Sequence, residues 1–185
     1  AIPVVLLVLA SVKEVAVMRA PLDMLMSAFT FDNYRRIINA GILVQFRNSV
    51  IISTASIVLT ILLAAPLAFG LTKLPLRLKN MLAFAILGVR FVPYVSMALP
   101  LFLVFLILSM TGTISAVILA HLTIHIPFGT WLLLGFFEGI PSEIEDAAVV
   151  DGCSSFRYFW SIAMPMNMSG LASLTILVFI LSWNE

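Results

Sequence analysis

The chain has 185 residues, 62% of them apolar and 10% charged, and its formal net charge is +1; its mean hydropathy is +1.16. Soluble domains are about half apolar and about a quarter charged, so no soluble core of this size hides so much apolar surface, and the chain belongs in a bilayer. Near-zero net charge with scattered basic residues argues against a nucleic-acid partner, and a single cysteine, Cys153, excludes an internal disulfide.

Residues 1–10 are apolar but too short to cross a membrane, and they lack the basic front and cleavage pattern of a signal peptide. They read as the tail of a partial span. The chain starts inside that run and stops at Glu185 just after another, so the expectation is a piece of a longer protein, lacking the start of the first span and a last span. In loop 11–47, Phe31-Asp32-Asn33-Tyr34-Arg35-Arg36-Ile37-Ile38 places Tyr34, Ile37 and Ile38 on one helical face, with Asp32 or Thr30 available as cap. Two readings stand for it: an amphipathic helix lying at the interface, or a partner contact.

A span needs about 20 apolar residues. Four segments qualify: 49–71; 81–110, apolar apart from Arg90 and carrying Pro93 and Pro100; 113–137, with His121, His125 and Pro127 inside it; and 162–183. Short links at 72–80 and 111–112 make neighbouring spans antiparallel. The expected fold is all-α, a polytopic transmembrane helical bundle in one domain, because an open sheet cannot satisfy its backbone in lipid. Orientation is less direct. One side holds Lys13, Arg19, Arg35, Arg36 and Arg47, and the other Lys73, Arg77, Lys79 and Arg157. Basic density in the short 72–80 link favours that side as cytoplasmic. The long loop 11–47 dilutes the preference, and charge alone does not choose.

The polar loop 138–160 is the chain's most distinctive stretch. Between Glu138 and Arg157 there are five acids against one base. Ser142-Glu143-Ile144-Glu145 fits a capping box, the Ser142 hydroxyl on the Glu145 amide and the Glu145 carboxylate reaching back; first-turn acids also suit the positive helix end. A short helix over 143–150 follows, with Ile144, Ala147 and Ala148 on one face. Gly152 takes φ > 0 to end it, and Ser154 or Ser155 caps a second helix. Phe156, Phe159 and Trp160 then form an aromatic face. This helix–Gly–helix element suits insertion into a groove on another protein; the alternative is a solvated interhelical hairpin.

The run Ile140-Pro141-x-Glu143-x-Glu145-Asp146-Ala147-Ala148-x-x-Asp151-Gly152, then Phe159-x-x-Ile162-x-x-Pro165, resembles the EAA loop of binding-protein-dependent ABC transporter permeases. The wider frame resembles the carbohydrate-importer branch of that MetI-like family, similar to the second permease subunit of the maltose type. It rests on Phe31-x-x-Tyr34, Asn48-Ser49, Pro127-Phe128, Trp131-Leu132-Leu133, Gly135-Phe136-Phe137 and Ser182-Trp183-Asn184-Glu185. The chain departs from the pattern at Asp146 for Glu, Cys153 for Ala, Met164 for Leu and Ser169 where Pro is common; Asp146 shortens the acidic arm. The resemblance implies a cytoplasmic loop seated in a cleft of an ATP-hydrolysing subunit, whose closure rocks the spans between inward- and outward-facing states. The coupling residues would be Glu143, Glu145, Asp146, Ala147, Ala148, Asp151, Gly152, Phe156 and Phe159. It also implies a second permease subunit, an extracytoplasmic solute-binding protein, residence in a prokaryotic inner membrane, and no cofactor or catalytic residue in this chain. Independently, the sequence holds no Gly-rich loop ending in Gly-Lys-Ser/Thr to bind a nucleotide.

Candidates for a translocation path are Arg90, Tyr94, His121, His125 and Asn184. Arg90 stands about 15 Å into its span, where a charge costs roughly 3 kcal/mol or more unless paired or wet. It either lines a path and donates to solute groups, or pairs with a carboxylate of another subunit, or snorkels. His121 and His125 share a helix face, but no third ligand is evident for a metal; interhelical hydrogen bonding or a polar path wall is favoured. Two other classes compete. An ion-gradient-driven transporter or channel using Arg90 and the histidines needs no docking loop. A membrane enzyme on His121, His125 and Glu138 fails on distance, since Glu138 lies more than three turns beyond His125 on one helix.

Overall fold

The structure is a computed structural model that describes residues 2–13 and 28–184, apart from the side chain of Tyr94. Arg19 and Glu185 lie outside the described residues, as does the Tyr94 side chain proposed for the path. Among the described residues the only strand-like pairing is an isolated bridge, Lys13 with Phe29, so the all-α expectation holds. By its contacts the chain divides into two compact units, Ala1–Asn48 and Ser49–Glu185.

The first unit holds α1 (Ile2–Ser11) and α2 (Asp32–Asn39). The Asn33 side-chain amide donates to the carbonyls of Ser11, at 3.1 Å, and Lys13, at 2.7 Å. The hydroxyls of Ser11 and Tyr34 meet at 2.8 Å, and Lys13 lies over the Phe29 ring. Neither expected residue is the cap: Phe31 holds that position with no side-chain cap hydrogen bond, and the Thr30 hydroxyl just before it accepts from the Asp32 amide at 3.1 Å. Tyr34, Ile37 and Ile38 are all exposed. Gly41, at φ 85°, ends the turn after α2, a backbone conformation that glycine adopts without penalty.

The second unit is built on three helices: the part of α3 (Ile42–Thr72) from Ser49 onward, the helix itself beginning ahead of the span expected at 49, α6 (Ile114–Glu138) and α10 (Met168–Asn184). On α3, Ser53, Ser56, Thr60, Ala64, Ala65, Ala68 and Leu71 are buried. With no hydrophobic drive between helices in lipid, such small residues let backbones approach and gain dispersion contacts. The approach is close at Gly129 of α6, where a Cβ would stand 3.1 Å from both the Ala64 and Thr60 side chains and 3.2 Å from Leu174. Leu133, Leu174 and Val178 fill the interior beside it.

The expected span 81–110 is not one rod. It comprises α4 (Leu76–Gly88), a 3-10 turn (Val89–Phe91) and α5 (Tyr94–Ile107), and the two arms meet at 91°. Pro93 is the physical cause: it forces Val92 out of the helical region, to φ −72°, ψ 123°. The expected span 162–183 is bent by 74°. Ahead of α10 lie α7 (Ser142–Val150), α8 (Ser155–Tyr158), a π-helical segment (Phe159–Ala163) and α9 (Met164–Met166). Pro165 brings no N–H for the Ser161 carbonyl and crowds it, and the widened turn relieves that crowding. By length and composition α3 and α6 can each cross a membrane, and the two bent pairs raise the number to four if each is one span.

These helices give the second unit two distinct ends. Leu71, Phe137, Ala148, Tyr158 and Phe159 share one apolar cluster, so α3 and α6 both finish where α7 and α8 lie. Ser49, Ala116 and Ser182 line one cleft at the other end.

Candidate functional site

The loop folds as helix–Gly–helix, but its start differs from the expectation. Pro141 occupies the cap position of α7 with no side-chain cap hydrogen bond, and Ser142 is already the first helical residue. The capping box therefore does not form. The Glu145 carboxylate, which was to reach back, instead pairs with Lys73 just beyond the end of α3. At the other end the Cys153 amide donates to the Ala148 carbonyl at 2.8 Å, and the Gly152 amide to Val149 at 3.0 Å. Those two bonds with Gly152 at φ 74° are a Schellman motif. Ser154 then caps α8 by accepting from the Arg157 amide at 3.3 Å.

The expected small-residue face splits. Ala148 is buried and Ile144 packs against the same apolar cluster, whereas Ala147 is exposed. At about 100° per residue, Ala147 and Ala148 fall on opposite flanks of Ile144, and only one flank meets the bundle. The aromatic face splits as well. Phe159 turns inward, its centroid 5.1 Å from Phe69 and 6.1 Å from Phe137, while Phe156 stays 75% exposed. The outer surface thus carries Glu143, Asp146, Ala147, Val149, Val150, Asp151, Gly152 and Phe156, acidic and apolar together.

Lys73 ties this element to the bundle. Besides Glu145, its ammonium sits 4.5 Å from the Phe69 ring centroid and 5.6 Å from that of Tyr158, and Tyr158 lies 5.9 Å from Phe69. A second pair, Lys79 with Glu138 at 2.5 Å, joins the start of α4 to the end of α6. Sequence reasoning missed both lysines, and nothing along the chain signals them: Lys73 and Glu145 are 72 residues apart.

The path candidates divide into groups. Arg90, in the 3-10 turn, stacks on Phe128 with its guanidinium carbon 4.2 Å from the ring centroid. Its Nη1 is buried without a hydrogen-bond partner among the described residues. His121 and His125 are both buried, with ring centroids 5.5 Å apart. His121 Nδ1 meets the Ser56 hydroxyl at 3.4 Å, and His125 Nδ1 has no hydrogen-bond partner among the described residues. Asn184 is exposed at the end of α10, one residue beyond the cleft lining. Among the described residues no group of three or more His, Cys, Asp or Glu gathers to hold a metal. The hydroxyls of Ser53, Ser56 and Thr60 were missed. Their spacing of three and four along an apolar span is a signal that could have found them.

An all-α bundle whose helices are long and apolar enough to cross a membrane, with an acidic two-helix element packed across one end, is a membrane protein. Residues 57–185 match the family of binding-protein-dependent transport system inner membrane components, and the chain belongs to that family. It is 34% identical over 138 residues to a probable ABC transporter permease of Sinorhizobium fredii, covering 75% of this chain and 50% of the relative. It is 32% identical over 160 residues to the trehalose transport system permease of Mycobacterium tuberculosis, covering 86% and 58%. It is 33% identical over 163 residues to the alpha-glucoside transport system permease of Rhizobium meliloti, covering 85% and 43%. The chain spans about half the length of the curated relatives it matches.

Proposed function

We propose that this chain is a permease subunit of an ABC importer for a carbohydrate or similar polar solute, in a prokaryotic inner membrane. The observation that carries this reading is the α7–Gly152–α8 element. Its outer face, with Glu143, Asp146, Ala147, Asp151, Gly152 and Phe156, is free to dock, while Glu145, Ala148 and Phe159 anchor its inner face to the bundle. A push on the outer face then reaches α3 through Lys73 and the aromatic cluster. The pushing partner is a cytoplasmic ATPase, with a second permease subunit and an extracytoplasmic solute-binding protein completing the importer; ATP hydrolysis stays on the ATPase. Arg90, Tyr94, His121, His125 and Asn184 form part of the translocation path, where the unsatisfied Arg90 and His125 nitrogens favour a hydroxyl-bearing solute. Residues 1–185 act as one permease domain, with the bent pairs each crossing once.

Single cysteines along 141–157, in a Cys153→Ser background with co-expressed ATPase subunits, test the docking. Cross-links are expected at Glu143, Asp146, Ala147 and Val150 and not at buried Ala148. Absence of an adduct at every position sinks the proposal. Uptake that survives ATP depletion and collapses with the proton gradient supports the ion-driven alternative instead.

A further inference from the structure

At the end of the second unit away from α7 and α8, a cleft of about 420 Å³ opens between four helices. Ser49 and Ile52 line it from α3, Phe105 from α5, His121 from α6, and Ser182 and Trp183 from α10. We propose that this cleft binds the ring of a neutral sugar, an inference that rests on the importer reading above and names where the solute is first held. The volume lies within the range of about 300–1,000 Å³ typical of small-ligand sites.

The lining chemistry selects the ligand class. No acidic residue, lysine or arginine lines the cleft, so nothing there compensates an ionic solute. A sugar ring has an apolar C–H face and a rim of hydroxyls that donate and accept. Trp183 and Phe105 supply aromatic carbon for the face, and an indole offers a large apolar body at little loss of freedom. Trp183 is braced in turn, its ring stacked on Phe179 with centroids 5.4 Å apart and planes at 28°. Ser182 supplies the polar side: it is 6% exposed, and its Oγ has no hydrogen-bond partner among the described residues. Buried hydroxyls are almost always satisfied, and a ligand hydroxyl would satisfy this one. His121, whose Nδ1 meets the Ser56 hydroxyl, lines the same wall.

Below the cleft the polar lining continues. Ser49, Ser53, Ser56 and Thr60 repeat every three or four residues and so share one face of α3. The last three are fully buried, and Ser53 Oγ and Thr60 Oγ1 have no hydrogen-bond partner among the described residues. This line of hydroxyls leads inward until the close crossing of Thr60 with Gly129 shuts it. The cleft is therefore a holding site above a closed seam, and opening that crossing would let a sugar exchange one hydroxyl partner for the next.

The test uses the assembled importer carrying Cys153→Ser and Ser49→Cys, with alkylation by a small maleimide read on this chain after gel separation. Glucose, maltose, trehalose and methyl α-glucoside are the probes, each also measured for uptake. A sugar that is taken up should slow alkylation of the cysteine at 49 by roughly tenfold when present at about ten times its dissociation constant. Trp183→Ala should raise the half-protecting concentration roughly tenfold, whereas Trp183→Phe, which keeps an aromatic face, should raise it less. Ser182→Ala, which removes one atom from a helix end, should weaken protection without loss of the co-purifying ATPase. An imported sugar that leaves alkylation unchanged overturns the cleft site and leaves the importer reading standing. Uptake that survives ATP depletion and collapses with the proton gradient overturns the importer reading and the site that rests on it.

Discussion

Gly170 shows how little room the bundle leaves at single positions. A Cβ there would stand 2.6 Å from Phe136 Cγ and 2.8 Å from Cδ2, closer than any real side chain approaches, and both residues sit on packed helices. Gly170→Ala should destabilise the bundle by about 1–3 kcal/mol through overpacking, read as a lower melting temperature in detergent. Because the clash is with one ring, Gly170→Ala combined with Phe136→Ala should cost less than the two changes summed. Strict additivity would mean that the ring is not the obstacle. The glycine at 152 acts differently: nothing lies within 4 Å of a Cβ built there, and its need is for φ 74° alone. The sequence announces Gly152 by its place after a helical run. It gives no hint of Gly170, whose constraint is a ring on a different helix.

At the scale of elements, the two lysines convert a loop into a part of the bundle. Both members of the Lys73–Glu145 pair are more than a third exposed, so the pair contributes only about 0–1 kcal/mol to stability. Its consequence is positional: it fixes α7 over the end of α3, where Lys73 also covers Phe69. Glu145→Lys and Lys73→Glu should each lower solute uptake several-fold while hardly moving the melting temperature. The double reversal should restore uptake, because it rebuilds an opposite-charge pair at the same place. Failure of the swap to restore transport while ATPase subunits still co-purify would remove the pair from the coupling route. The bend at Pro93 belongs to this scale too. The proline was visible in the sequence, but a proline in a span permits a mild kink as readily as the 91° turn that is formed. That turn sets Arg90 against Phe128 instead of in the middle of a straight rod.

For the molecule as a whole, the ion pairs bring the short basic link and the acidic loop together. Lys73 and Lys79 meet Glu145 and Glu138, so the 72–80 link and the acidic loop occupy the same end of the second unit. Four of the ten basic residues, Lys73, Arg77, Lys79 and Arg157, gather there or on α8, and the short-loop weighting of the positive-inside rule favours the proposed placing of that end in the cytoplasm. A cysteine replacing Arg77, in the Cys153→Ser background, should be labelled by a membrane-impermeant maleimide in inside-out vesicles and not in intact cells. The opposite labelling would invert the topology and disqualify the loop as a cytoplasmic dock.

The sequence by itself determined the class: apolar runs of about 20 residues demand helices in lipid, because a helix satisfies its backbone within one segment and an open sheet does not. It also determined the two-helix loop, since the Gly152 stop and the Ser154 cap are local and involve neighbours a few residues away. Its capping box did not form, because Pro141 takes the cap position and Glu145 faces the distant Lys73, and its small and aromatic faces were divided by which flank met the bundle. Tertiary structure alone decided that Glu145 faces Lys73, that Phe159 turns in while Phe156 stays out, and that Ser49, His121 and Ser182 meet in one cleft. Such contacts join residues on separate helices, and hydrophobic periodicity carries no information about which helix stands opposite which.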